Sequence, residues 1–201
     1  MLHVSALVLG HVLGNKSAEL GPFIFTLTVL SFPITFLTTD LLNERWGRSV
    51  ARRVTVMSVL CVVLAFGLIE IARQIPAASG THLPLGAFEH VLAVPAAHVL
   101  ALLSGYVCGQ LADIQVFHRV RKITGSRLLW VRVVSSTAIG EAVDGVTVSA
   151  FLVAAPTSVV GATPVSTLLH ITWDQAVVRM ALMLALLPMV YFLHRTGRYR
   201  R

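Results

Sequence analysis

Asp113, Glu141 and Asp144 stand inside stretches apolar enough to enter lipid, where an acid near the membrane centre costs roughly 2.5–3.5 kcal/mol on insertion scales. An ionisable side chain kept at that cost marks a functional site by default. In residues 101–120, ALLSGYVCGQLADIQVFHRV, helical spacing puts Ala101, Gly105, Gly109 and Asp113 on one face, with Gln110 at its border. A stripe of small residues every fourth position lets another helix approach closely in lipid. Gly105 and Gly109 are therefore expected at a helix–helix contact, and Asp113 is expected to face protein. Taken alone, Asp113 reads equally well as a structural hydrogen bond between helices. Thr137, Glu141, Asp144 and Val148 share a second face, with Gly140 beside it and Ser136 just off it. Two acids within one turn make this the stronger half of a candidate binding site.

Further polar groups could join them. Arg179 lies a short way into the last apolar stretch. It either snorkels outward past Asp174 or neutralises one of the buried acids, and the second is favoured. Asp40 and Glu44 share a helical face at the end of an earlier stretch, Glu44 reading as interfacial polarity. The eight histidines lack HExxH or paired spacing, and no GxSxG or P-loop occurs. Cys61 and Cys108 sit in apolar runs as small hydrophobes. No metal, cofactor or catalytic residue is expected.

The elements that must hold these groups follow from composition. The chain has 201 residues, 56% hydrophobic and 12% charged, with mean hydropathy +0.80, against about 25% charged in soluble domains. This predicts an all-α polytopic membrane protein, one compact domain over residues 1–201. At roughly 20 residues per crossing, the spans fall near 2–20, 23–42, 54–75, 96–118, 133–154 and 169–193. The formal charge is +7, and most of the basic residues form three clusters, around Arg45–Arg53, Arg119–Arg132 and Arg195–Arg201. Each cluster follows an even-numbered span, so all share one side. The positive-inside rule makes that side the cytoplasm and places both termini there, in a plasma (inner) membrane. This placement argues against nucleic acid as a partner; the bilayer is the expected partner of the clusters.

Local expectations complete the reading. The first span is short: either Lys16 snorkels from a longer helix, where it could pair with Glu19, or the true start lies upstream. Pro33 falls inside the second span, freeing a carbonyl for Thr26, Thr28, Ser31, Thr35, Thr38 or Thr39 to satisfy, unless these line a polar path. Glu70 and Arg73 form an interfacial pair. Residues 74–95 form an external loop with a short helix around Phe88–Val91, and Trp130 anchors at the interface.

In four places the chain resembles the queuosine precursor transporter family, a six-span group among the vitamin-uptake transporters. These are FPITFLTTDLLNERWGRSVARR, GYVCGQLADIQVFHRVRK, LLWVRVVSSTAIGEAVDGV, and the last span with Asp174, Arg179, Pro188 and Tyr191. The resemblance runs from about Phe32 to the last span and fades in the first. It implies uptake of the 7-deazaguanine bases preQ0 or preQ1, and it carries Pro33, Asp40, Gln110, Asp113, Ser136, Thr137, Asp144 and Arg179 as matching positions. Glu141 stands where the family varies. The implied small-molecule substrate suits the residues. A deazaguanine edge presents a ring N–H and an amine, which one carboxylate accepts together. Gln110 can meet the ring carbonyl or pyrrole edge, a further carboxylate the preQ1 aminomethyl cation, and Phe32, Phe36 or Tyr106 can stack on the ring. For each aromatic, helix packing is the commoner role.

Secondary or facilitative import is the leading expectation. The alternative is a substrate-binding subunit of an ATP-driven uptake system, docked through its cytoplasmic or membrane face; the small-residue stripe could serve, or could equally be internal packing. A homodimer and an ATPase module are thus the candidate protein partners. An intramembrane enzyme acting on a lipid or isoprenoid is disfavoured because clustered Asp pairs are missing.

Overall fold

The computed structural model describes residues 1–76, 86, 88, 92, 96–125, 128–154 and 164–198. The helices are α1 (Leu2–Leu13), α2 (Phe32–Trp46), α3 (Arg48–Arg73), α4 (Ala96–Thr124), α5 (Leu129–Ala154) and α6 (Val165–Arg198). Four stretches are long and apolar enough to cross a membrane: Arg48–Arg73, Val99–Thr124, Leu129–Ala154 and Val165–Pro188. The chain is an all-α polytopic membrane protein apart from one small hairpin. The expected loop helix near Phe88 lies largely outside the described residues.

The first two expected spans need correction. The helix over 2–20 stops at Leu13, and the chain turns into β1 (Ser17–Leu20), paired antiparallel with β2 (Phe23–Thr26) from Ser17↔Thr26 to Leu20↔Phe23. Lys16 and Glu19 therefore share no helix. Gly21–Pro22 makes the two-residue turn, with Gly21 at φ +59°, a conformation that glycine adopts without the steric penalty of a Cβ. A 3₁₀ turn, Leu27–Leu30, then leads into α2. Pro33 is thus in the first turn of α2, not in mid-span, where its missing N–H leaves no gap in the ladder. The hydroxyls of Thr35, Thr38 and Thr39 bond carbonyls of their own helix, those of Phe32, Ile34 and Thr35. Backbone outside a helix must find its partners within protein when lipid surrounds it, and here β2 packs against α6.

The long helices extend past the expected spans toward the basic clusters. α2 and α3 meet at Gly47, whose φ of +83° disfavours any residue with a Cβ. α3 turns Val56, Leu60, Val63, Leu64, Leu68 and Ile71 outward. This apolar outer face is what a helix bordered by lipid presents. Inside, Leu7, Phe32, Phe36, Val62, Leu103 and Tyr106 form one core cluster. Leu37, Phe117, Leu129, Val133 and Met183 form another nearer the basic loops. Glu70 and Arg73 pair at 2.6 Å on the surface, as their spacing predicts.

Candidate substrate site in a polar column

The small-residue stripe of α4 is the seam on which the site is built. A Cβ at Gly109 would lie 2.7 Å from the carbonyl oxygen of Gly140, and one at Gly105 would collide with Val148 and Asp144. Ala101 is fully buried with Val148 and Leu152. The stripe is therefore consumed by packing against α5, and it offers no docking face for an energising partner. Close approach carries Asp113 and Gln110 into the protein interior beside Ser136, Thr137 and Glu141.

Repeats of three and four residues align the polar groups of each helix. α5 buries Arg132, Ser136, Thr137, Gly140, Glu141 and Asp144. α2 presents Phe32, Phe36, Asp40 and Glu44 at four-residue steps, and α6 presents Gln175 and Arg179. Together they form a column of polar side chains along the bundle, between the hairpin and the basic loops.

At its centre Arg179 settles the choice its sequence position left open. One guanidinium nitrogen, Nη1, donates to Asp144 Oδ2 at 2.8 Å and to Glu141 Oε2 at 3.1 Å. Nη2 donates to Gln175 Oε1 at 3.1 Å. The face of the guanidinium rests 4.2 Å from the Phe32 ring centroid, a desolvated cation–π contact of the kind worth about 2 kcal/mol. Arg179 neutralises the acids of α5 and does not snorkel. Asp174 instead accepts the Ile24 backbone N–H at 3.0 Å.

Toward the hairpin, Gln175 Oε1 lies 3.1 Å from Thr26 Oγ1 and 3.0 Å from Thr28 Oγ1, and the two hydroxyls are 2.7 Å apart. A guanidinium can only donate, so the Gln175 atom facing Arg179 is its oxygen. Two hydroxyl protons then serve three contacts, most simply as a relay from Thr26 to Thr28 to Gln175.

Toward the basic loops, Ser136 Oγ lies 3.5 Å from Asp40 Oδ1, and Asp40 faces Asp113. One turn further, Arg132 donates to Glu44 Oε2 at 2.8 Å and to the Gly125 carbonyl at 3.1 Å. Arg121 donates to the carbonyls of Asn43 and Glu44, and Asn43 Nδ2 donates to the Ile114 carbonyl. Glu44 is thus a half-buried ion-pair partner of the buried Arg132, tying α2 to α5, and not merely the interfacial polarity its position suggests.

The middle of the column differs from both ends. Both side-chain atoms of Gln110, both carboxylate oxygens of Asp113, Asp40 Oδ2, Thr137 Oγ1 and Arg179 Nε are buried without a hydrogen-bond partner among the described residues. Such atoms cost about 1–3 kcal/mol each when left unsatisfied, and more when charged. Four carboxylates (Asp40, Asp113, Glu141, Asp144) are buried along the column; Glu141 and Asp144 share the Arg179 guanidinium, while Asp40 and Asp113 face each other outside that ion pair. A cluster so short of donors and positive charge is chemically suited to a polar, donor-rich guest.

The aromatic residues occupy this wall. Phe36 packs against Gly140, whose added Cβ would be 3.1 Å from its ring. Tyr106 meets Phe32 edge-on at 5.7 Å and bonds His3 Nε2 through its hydroxyl at 3.1 Å. Sequence reasoning missed Gln175, although it lies one turn before Arg179. It also missed His3 and His11, buried with Leu7 on one face of α1. Both follow from the same four-residue spacing that located Asp113.

The helices and their buried ionic column define a multi-pass membrane protein with a polar interior. Residues 26–193 match the family described as "Putative vitamin uptake transporter", and the chain belongs to that family. A relative from Bacillus subtilis (strain 168), "Probable queuosine precursor transporter", is 29% identical over 180 residues, 88% of this chain and 74% of its own length. One from Escherichia coli (strain K12), "Queuosine precursor transporter", is 28% identical over 144 residues, 72% of this chain and 62% of its own. No solved structure matches the chain. The resemblance read from the motifs is thereby borne out.

Proposed function

We propose that this chain imports 7-deazaguanine bases, preQ0 or preQ1, for modification of tRNA, by secondary or facilitative transport across the plasma membrane with both termini in the cytoplasm. The observation that carries the reading is the set of unpartnered atoms on Gln110, Asp113, Asp40 and Thr137. Asp113 accepts the ring N–H and exocyclic amine of the base, two charge-assisted bonds on one carboxylate. Gln110 offers both a donor and an acceptor to the remaining edge. Asp40, facing Asp113 with Ser136 beside it, receives the positive end of an aminomethyl arm or a co-transported proton; a buried pair of carboxylates calls for a positive partner.

Glu141, Asp144 and Arg179 hold one another and set the charge of the wall. Phe36, between Phe32, whose ring the Arg179 guanidinium covers, and Asp40 in the order of α2, is the aromatic best placed to stack on the ring. The relatives' names support the substrate class, and the excess of acceptors suits a ring rich in N–H donors.

The test is rescue of a bacterium that can neither make nor import preQ0. The chain is expressed, preQ0 or preQ1 is supplied outside at nanomolar concentration, and queuosine in tRNA is scored by its boronate-gel shift. Queuosine is expected to appear. Its absence from cells whose membranes contain the folded chain would refute import by this chain alone.

A further inference from the structure

A second polar feature lies outside the column. α3 starts directly after Gly47, and no side chain caps its N-terminus. Beside it, α3 and α4 flank a half-open pocket of about 460 Å³ lined by Arg48, Ser49, Arg52 and Arg53, with Gln115 as a further polar neighbour and Leu111 and Ile114 as an apolar wall. No carboxylate lines this pocket, and among the described residues none of the three arginines forms an ion pair. The contrast with Arg121, Arg132 and Arg179, each matched to an acid, is sharp.

Three guanidinium groups around one cavity repel each other unless an anion joins them. The free N–H groups and positive dipole end of a 26-residue helix add to the same potential. Guanidinium forks match the oxygens of a phosphate. The apolar wall suits the glycerol and first methylenes of a lipid. The pocket also lies at the basic end of the bundle, where anionic headgroups collect beside juxtamembrane arginines.

We propose that this pocket binds a phosphate group, carried either by an anionic phospholipid or by a soluble phosphate. The site is independent of what the column transports, so its test does not depend on the substrate.

The full chain, purified in neutral detergent, is titrated with dihexanoyl phosphatidylglycerol, dihexanoyl phosphatidylcholine and inorganic phosphate, with thermal stabilisation as readout. Selective stabilisation by phosphatidylglycerol supports a lipid source, and stabilisation by inorganic phosphate a soluble one. Equal response to phosphatidylcholine and phosphatidylglycerol without response to phosphate overturns the proposal, as does no response at all. Each arginine near a membrane surface strengthens such attraction about fivefold, so Arg52→Gln with Arg53→Gln should weaken binding roughly 30-fold. The charge-matched pair Lys16→Gln with Arg73→Gln, away from the basic end of the bundle, should leave it unchanged. Equal weakening in both pairs would reduce the effect to overall charge and overturn the site. Should the arginine variant fail to fold, the three titrations of the unmodified chain still decide.

Discussion

Gln175 and Arg179, one turn apart on α6, share a 3.1 Å hydrogen bond whose acceptor oxygen also faces the Thr26 and Thr28 hydroxyls. One amide thus joins the hairpin to the cation that balances Glu141 and Asp144. Thr26 ends the hairpin and Thr28 lies in the 3₁₀ turn that follows, so both segments meet Arg179 through Gln175.

Replacing Gln175 by Leu removes that link. A hydrogen bond to a charged group is worth about 1.5–3 kcal/mol, so uptake should fall roughly tenfold or more. Thr28→Val should reduce uptake in the parent chain yet add little on top of Gln175→Leu. Strict additivity of the two in a double-mutant cycle would show the contact to be idle.

Arg179→Gln leaves Glu141 and Asp144 buried without their cation. Removing one partner of a buried ion pair costs about 3–5 kcal/mol. The variant should therefore yield little folded protein by size-exclusion of solubilised membranes. Adding Glu141→Gln and Asp144→Asn should restore folded yield but not uptake. If Arg179→Gln alone folds at parental yield, the ionic centre is not what holds α5 to α6.

Glycine substitutions separate the packed seam from the lipid face. Gly109→Ala drives a methyl to 2.7 Å from the Gly140 carbonyl, whereas a Cβ at Gly67 meets nothing within 4 Å. Overpacking of this sort costs about 1–3 kcal/mol. Gly109→Ala should lower the melting temperature of the purified chain, and Gly67→Ala should not.

Glu44→Gln takes from Arg132 the carboxylate it meets at 2.8 Å. By the same desolvation argument, stability should drop by about 3 kcal/mol or more. Because Glu44 lies a full turn beyond Asp40, substrate affinity of the surviving protein should stay within twofold of parental, or roughly 0.4 kcal/mol. A large loss of affinity would extend the binding site to this end of the column.

The central helices were legible because their constraints are local and periodic. The four-residue step of Ala101, Gly105, Gly109 and Asp113 points to a packed face whatever helix meets it, and α5 meets it there. The expense of a lone buried cation likewise favoured an ion pair for Arg179. What the sequence obscured depended on partners far along the chain. Glu44 resembles an interfacial acid until Arg132, 88 residues away, is brought against it. Residues 17–30 are apolar enough to imitate parts of two spans, and hydropathy overrode the turn signal of Gly21–Pro22. Read as part of one long span, Thr26 and Thr28 belong to a proline-broken helix; with Pro33 in the first turn of α2, they are available to Gln175, 149 and 147 residues away.

The most direct test of the account is uptake of labelled preQ1 by the chain carrying Asp113→Asn, at matched levels of folded membrane protein. The asparagine amide keeps one acceptor oxygen but turns the other into a donor and removes the charge, so weakening both charge-assisted bonds should cost about 3 kcal/mol, a drop in uptake of roughly 100-fold, with folded yield retained because the change removes one charge from the facing Asp40–Asp113 pair. Uptake by the variant within twofold of the parent would contradict the placement of the substrate at Asp113.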